Sequence, residues 1–117
     1  MLVIRKAQLH TLGLERRRDF ARRAGLHLCT NFAECAAMGQ AELRPFVDEG
    51  IAKAARYGIE VEQDVCKFLN LLVVFGPVFD VELSWARKTL VAKEGPSLRL
   101  NRLYARALRV ADGEELG

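Results

Sequence analysis

The chain has 117 residues, of which 50% are hydrophobic and 28% are charged, and its formal net charge is +3. This length supports one hydrophobic core, and the balance of apolar and charged residues excludes a wholly disordered chain. The longest apolar run, residues 68–79, is interrupted by Asn70, Gly76 and Pro77 and is shorter than the roughly 20 residues that span a bilayer, so no membrane partner is expected.

The first predicted element is an amphipathic helix over residues 6–30, because apolar residues recur near every helical turn and charged residues fill the other faces. The preceding opening, MLVIRKAQLHTL, lacks the order of a signal peptide, since its basic residues follow the short apolar run. We therefore expect a cytoplasmic protein.

A basic block lies in the middle of this helix. Its members are Arg16, Arg17, Arg18, Arg22 and Arg23. Because Glu15 and Asp19 are interleaved with them, a solvated helix face is the first interpretation and an acidic protein partner the second. Nucleic acid is the third, since no helix-turn-helix motif with a polar recognition helix accompanies the block. If the block binds a partner, the candidate residues are Arg16, Arg17 and Arg22.

A short helical turn is predicted over residues 33–38, and a second long helix over residues 41–57. The inner stripe of that helix is predicted to be Leu43, Val47, Ile51, Ala54 and Ala55. Gly58 stands where a helix end favours a left-handed residue, and Ile59 can fold back onto the last turn as in a Schellman motif.

The stretch YGIEVEQDVCKFLNLLVVFGPVFDVELSW, residues 57–85, contains a third helix. Glu60, Glu62 and Asp64 favour its start, where the helix dipole attracts negative charge, and the Gly76-Pro77 pair ends it. Between these points only Lys67 and Asn70 interrupt the apolar residues, and this pattern predicts a buried helix.

A fourth helix is predicted over residues 83–92, with Trp85, Ala86 and Leu90 facing inward. A fifth is predicted over residues 97–110, with Ser97 as its N-cap. Its inner face is predicted to be Leu100, Leu103, Tyr104, Ala107 and Leu108. The tail, residues 111–117, is polar and is predicted to be loose.

These elements predict one all-α domain over residues 1–117, a bundle of about five helices around a buried central third helix. No run of strand length alternates between apolar and polar residues.

The sequence suggests no catalytic residue, metal site or cofactor. His10 and His27 are too far apart on one helix to share a metal, and His27 is expected to be a partly buried structural imidazole. Three cysteines, Cys29, Cys35 and Cys66, match no zinc spacing and are expected to be buried thiols. We therefore expect a protein that is not an enzyme.

Phe79, Asp80 and Trp85, after the third helix, complete the list of candidate partner-binding residues. Large aromatic residues in a connecting segment are binding residues in some proteins. In a small bundle they more often cover the end of the core, and that interpretation comes first.

The order YGI, EQDV, FGPVFD and WA resembles a group of small helical proteins found in bacterial type VI secretion clusters. The residues that carry the resemblance are Tyr57, Gly58, Ile59, Asp64, Val65, Gly76, Phe79, Asp80, Trp85 and Ala86. With the opening MLVIRKAQL it extends over most of the chain. The resemblance implies a cytoplasmic accessory protein, a co-chaperone that holds an adaptor or effector before loading. It implies no catalytic residue and does not separate this role from that of an immunity protein that binds a toxin.

The leading hypothesis is therefore a non-enzymatic cytoplasmic protein-interaction module, whose partner is an adaptor, an effector or a toxin. The alternative from another class is a nucleic-acid-binding regulator that uses the arginine-rich first helix. The apolar content also allows a homodimer.

Overall fold

The structure is a computed structural model that describes the backbone of residues 6–113 and the side chains of residues 16–113. The described residues form seven helices and no strand, which confirms the all-α class. The helices are α1 Lys6–Asn31, α2 Ala33–Ala37, α3 Gln40–Arg56, α4 Glu62–Phe75, α5 Phe79–Glu82, α6 Ser84–Leu90 and α7 Pro96–Ala111. The count exceeds the expected five because α2 and α5 are one-turn helices. Of the tail predicted to be loose, residues 114–117 lie outside the described residues.

Two compact units divide the chain, residues 1–47 and residues 48–117, and α3 contributes to both. In the first unit α1 packs against α2. Among the residues of this unit whose side chains are described, 16–47, the buried ones are Phe20, Ala21, Ala24, Leu28, Cys35, Leu43 and Val47.

Polar side chains mark the end of α1. The side chain of Thr30 donates a hydrogen bond to the Leu26 carbonyl, and that of Asn31 donates one to the His27 carbonyl, each at a spacing of four residues. Such bonds offer helix carbonyls an alternative to the next backbone amide. Phe32 is then extended, and the chain re-enters helix at Ala33.

The junction after α3 is a Schellman motif, as the sequence predicts. Gly58 has φ +78°, its amide donates to the Ala55 carbonyl, and the Ile59 amide donates to the Ala54 carbonyl. Ile59 is buried, so the hydrophobic residue after the glycine packs back onto the unit. Ala55, predicted to face inward, is instead exposed.

Helix α4 supplies much of the core of the second unit. Its buried residues are Asp64, Val65, Phe68, Leu69, Leu71 and Leu72. The expectation of burial on nearly all sides is wrong at Val74, which is 55% exposed. The helix ends at Gly76 with φ +100°, as predicted.

Helix α3 passes close to α4 at Gly50. A Cβ atom at Gly50 would lie 2.4 Å from Cδ2 of Leu69 and 2.9 Å from Cδ1 of Leu72. Both leucines are buried, so a side chain here would displace core atoms. Glycine at this position therefore permits the close approach of the two helices.

The segment predicted as one fourth helix is two helices, α5 and α6. Leu83 lies between them in an extended conformation, with φ −92° and ψ 115°. Its amide donates to the Phe79 carbonyl of α5, and its carbonyl accepts from the Arg87 amide of α6. Ala86 and Leu90 are buried as predicted, and Trp85 is half-buried.

Helix α7 begins one residue earlier than predicted, at Pro96. Proline suits the first helical turn, because an amide there has no acceptor within the helix and its absence loses no hydrogen bond. Ser97 is not the N-cap. Its hydroxyl instead donates a 2.6 Å hydrogen bond to Oδ2 of Asp64. Leu108, predicted to face inward, is 56% exposed.

Three polar contacts show that α4 and α7 run parallel. They join Asp64 to Ser97, Lys67 to Asn101 and Asn70 to Tyr104. From one contact to the next, the residue numbers increase on both helices. They increase by three or four residues, the spacing that places side chains on one face of a helix. Arg99 also donates hydrogen bonds to the carbonyls of Tyr57 and Leu90, which lie at the ends of α3 and α6. Helix-end carbonyls are thereby satisfied by a charged donor.

Candidate functional site

The basic block of α1 is exposed to solvent. All five arginines, Arg16, Arg17, Arg18, Arg22 and Arg23, are exposed. Asp19 accepts hydrogen bonds from Arg22 at 3.0 Å and from Arg23 at 2.9 Å, and these two bonds lower the pKa of its carboxyl group. One aspartate among five arginines leaves residues 16–23 of α1 with a net positive charge.

A crevice lies beside this block, between α1 and the first half of α3, and has a volume of about 80 Å³. Both walls belong to the first unit. Its base is formed by four buried residues, Ala21, Gly25, Leu43 and Val47. Its rim is formed by four exposed residues, Arg22, Leu26, Gln40 and Arg44, and the half-buried Cys29 also lines it.

An apolar base with arginine on each wall suits one kind of ligand. The base takes up an apolar group, while Arg22 and Arg44 offer guanidinium groups that bind carboxylates. Arg22 was among the candidate residues from the sequence, and the structure places it at the rim of a crevice that Arg44 also lines. Arg16 and Arg17 do not line the crevice.

Phe79 and Asp80 are not placed to contact a partner, because they are 1% and 3% exposed. Their prediction as partner-binding residues is therefore corrected, and the alternative that they complete the core agrees with their burial. Trp85 is half-buried and stacks edge-on against Phe75, with ring centroids 5.7 Å apart. The exposed apolar residues of this segment are Val74, Val78 and Val81.

Asp80 lies at the centre of a buried polar network in the second unit. Lys53 Nζ donates to Oδ1 of Asp80 at 2.7 Å and to the carbonyl of Pro77 at 2.6 Å. The hydroxyl of Tyr57 donates to Oδ2 of Asp80 at 2.6 Å. Both carboxylate oxygens are thus engaged, and α3 is tied to α5 and to the turn before it.

The charges of this network stabilise one another. Burial favours the neutral form of Asp80, but the bonds from Lys53 and Tyr57 outweigh it and lower the pKa of the carboxyl group. Burial, together with the hydrogen bond to Asp80, raises the pKa of Tyr57 to about 12. A phenol with so high a pKa stays protonated at neutral pH and does not serve as a base, so the network acts as a structural tie.

The raised pKa of Tyr57 predicts a loss of stability in alkali. Because the folded pKa lies above the unfolded value of about 10, the stabilisation is fully present below pH 10 and is lost as the pH rises through about 12. We expect chemical denaturation of Tyr57→Phe to show a smaller decline between pH 10 and 12 than the wild type.

The chain contains two tyrosines, so Tyr104→Phe leaves Tyr57 as the sole phenol. Its ultraviolet absorbance is expected to titrate near pH 12. A midpoint near pH 10 in this variant contradicts the buried hydrogen bond to Asp80.

The prediction of buried cysteines is confirmed at Cys35 only, and the prediction for His27 is wrong. Cys35 is buried, and burial raises the pKa of its thiol, which keeps it protonated. Cys29 and Cys66 are half-buried rather than buried. The expectation that His27 is partly buried is wrong, because it is exposed and its ring contacts Asn31. The side chain of His10 lies outside the described residues.

Within residues 16–113, no three His, Cys, Asp or Glu side chains come together in a way that could hold a metal ion. In the described part of the chain, no helix has both the length and the apolar character needed to cross a membrane. Comparisons with protein-family models, with curated proteins and with solved structures gave no match to this chain.

Sequence reasoning missed Gly25, Gln40 and Arg44 at the crevice and Lys53 in the buried network. The small residues Ala21 and Gly25, four apart on α1, were the available signal, because one helix face with little side-chain volume leaves space beside it. Lys53 gave no signal, since its partner is 27 residues away.

Proposed function

We propose that this chain is a non-enzymatic cytoplasmic protein-interaction module, an accessory or co-chaperone for an adaptor or effector of a type VI secretion system. The observation that carries the interaction role is the crevice between α1 and α3, which combines a buried apolar base with arginine on each wall. Arginine beside a small apolar pocket is a common composition at the centre of protein interfaces.

The buried network supports the non-enzymatic part of this proposal. Asp80 is buried and Tyr57 is half-buried, and each is engaged in holding α3 to α5. Groups held in this way have their hydrogen-bonding capacity filled by the protein itself.

The type VI secretion part rests on the resemblance. Several residues that carry it hold the second unit together: Gly58 ends α3, Asp64 accepts from Ser97, and Asp80 accepts from Lys53 and Tyr57. The resemblance therefore supports a shared architecture of the second unit. The crevice lies in the first unit, and we propose that it supplies the recognition of the partner.

Affinity purification of the tagged chain from its own host, under conditions that express the surrounding genes, tests this function. We expect a stoichiometric partner protein, identified by mass spectrometry, that is reduced by the double variant Arg22→Glu with Arg44→Glu. An adaptor or effector as the partner supports the accessory role, and a toxin supports the immunity role. Recovery of the tagged chain alone contradicts the proposal, and light scattering then shows whether it forms a homodimer.

A second candidate function is nucleic-acid binding, which the exposed arginines of α1 favour. Such binding depends on neutralising phosphates and weakens steeply as salt increases. A mobility-shift titration with short duplex DNA and RNA at low salt separates the two functions. Binding that is lost in Arg16→Gln with Arg17→Gln supports this candidate, and an unshifted probe removes it.

A further inference from the structure

Gly25 is a helix-interior glycine that the packing does not require. A Cβ atom built at Gly25 has Leu43 as its nearest neighbour, with Cδ2 at an ordinary van der Waals distance of 3.8 Å. At Gly50, in the interior of α3, a Cβ would instead lie 2.4 Å from Cδ2 of Leu69. The fold thus explains Gly50, but it would accept alanine at Gly25.

Glycine in a helix interior is unfavourable relative to alanine, because it costs more backbone entropy and buries no side chain. At Gly25 the loss of helix stability is accompanied by space in the crevice. Gly25 belongs to the base of the crevice, opposite Leu43, so a methyl group there would occupy part of the space. Gly25 keeps the crevice open at the expense of helix stability, which is the pattern of a site kept for function.

The size of the crevice limits what enters it. Its volume of about 80 Å³ is well below the roughly 150 Å³ of an apolar cavity that accepts benzene. An aliphatic group the size of a leucine side chain therefore suits it better than an aromatic ring. Its base of Ala21, Gly25, Leu43 and Val47 presents only apolar side chains and glycine.

The arginines at the rim favour acidic residues next to the aliphatic group of the partner. Arg22 and Arg44 stand on opposite walls. Arg22 shares the carboxylate of Asp19 with Arg23, and residues 16–23 of α1 hold five arginines against this one aspartate, so the net charge beside the crevice is positive. A partner segment with carboxylates on both sides of its aliphatic residue brings opposite charge to both walls. A second copy of α1 would bring arginine to arginine and is disfavoured.

We propose that the crevice is a receptor for one aliphatic side chain carried on an acidic segment of the partner protein, with Gly25 as the residue that keeps it open. This inference rests on the proposed interaction function and names the chemistry of the partner. The acidic residues guide the encounter, and burial of the aliphatic group sets the lifetime of the complex.

The test uses the full chain and a labelled peptide in which one leucine is flanked on each side by two glutamates, titrated by fluorescence anisotropy. We expect saturable binding that weakens as salt increases. Replacing the leucine by serine, or the four glutamates by lysine, is expected to weaken binding about tenfold or more. Equal binding of the leucine and serine peptides overturns the apolar receptor, and equal binding of the lysine peptide overturns the role of the arginines.

Gly25→Ala separates the receptor from a packing role. We expect its melting temperature to rise by a few degrees, because alanine is the better helix residue, while its affinity for the leucine peptide falls about tenfold as the crevice is overfilled. Gly50→Ala is the matched control and is expected to melt lower than the wild type with unchanged affinity. A Gly25→Ala protein that melts lower, or that binds the peptide as the wild type does, contradicts the proposal.

The half-buried thiol of Cys29 gives a readout at the site itself. Saturating leucine peptide is expected to slow alkylation of Cys29 by iodoacetamide several-fold, as followed by mass spectrometry, and to leave alkylation of Cys66 unchanged. Unchanged reactivity of Cys29 contradicts binding in the crevice. Failure of every peptide together with recovery of a partner from the host overturns the receptor but leaves the interaction function standing.

Discussion

Replacement of Asp80 by alanine is expected to lower the free energy of unfolding by about 3 kcal/mol, the lower end of the range for breaking a buried ion pair. Asp80 is 3% exposed and Lys53 is 20% exposed, so the lysine left behind is only partly able to reach water. The hydroxyl of Tyr57 also loses its acceptor. Such a loss is a large fraction of the total stability of a domain of this size.

Chemical denaturation followed by circular dichroism measures this effect. Glu82→Ala is the matched control, because Glu82 is an exposed acidic residue on the same short helix. We expect the control to stay within about 0.5 kcal/mol of the wild type. An Asp80→Ala protein as stable as this control would mean that the network does not hold α3 to α5.

The ion pair between Asp80 and Lys53 also affects how the stability of the protein changes at low pH. The pKa of Asp80 is lowered in the folded state, so its contribution is present above its ordinary pKa of 3.8 and is lost as the pH falls below that value. The neutral variant Asp80→Asn is expected to lose less stability than the wild type between neutral pH and pH 3. Parallel profiles for the two proteins would contradict the lowered pKa.

Leu72→Asp is expected to abolish the folded state. Leu72 is 4% exposed and lies against Gly50, so the substitution both opens a cavity and buries a carboxylate without a partner. The combined cost is expected to exceed about 5 kcal/mol and to remove the cooperative thermal transition. A normal melting curve by circular dichroism would contradict the placement of α4 in the core.

Val74→Asp is the control for this substitution. Val74 is on the same helix but is 55% exposed, so a carboxylate there stays hydrated. We expect its melting temperature to stay within a few degrees of the wild type. If both variants unfold, a charge at an exposed position of α4 has the same effect as one at Leu72, and the result contradicts burial as the cause of unfolding in Leu72→Asp.

The long helices could be predicted because their signals are local. Gly58 and Ile59 end α3 through bonds to residues no more than five positions away, and Gly76 ends α4 in the same way. The nearly continuous apolar run of α4 also predicted the burial of Phe68, Leu69 and Leu72. In each case the sequence signal lies within one helix and its neighbouring turn.

The features that were missed depend on residues far apart in sequence. Ser97 is a residue type that often caps a helix, but its hydroxyl instead donates a hydrogen bond to Asp64, 33 residues earlier. Helix α5 has only four residues, too few to show a period. Asp80 looks like a surface carboxylate in sequence, and only its contacts with Lys53 and Tyr57 explain its burial.

The candidate site was predicted only in part for the same reason. The basic block on α1 was evident from composition, but the crevice beside Arg22 was not, because α3 supplies its other wall. Arg44 carries no signal of its own, since an exposed arginine is common, and the small residues Ala21 and Gly25 indicate only that there is space beside α1. Their meaning comes from the space between two helices.

Site-specific photo-crosslinking in the native host tests the central claim most directly. A benzoylphenylalanine placed at Leu26, an exposed residue on the rim of the crevice, is compared with the same group at Val91, an exposed residue in the second unit. The crevice model predicts that position 26 crosslinks to one partner protein, at an acidic segment containing an aliphatic residue, and that position 91 does not. Crosslinks from position 91 but none from position 26 would contradict it.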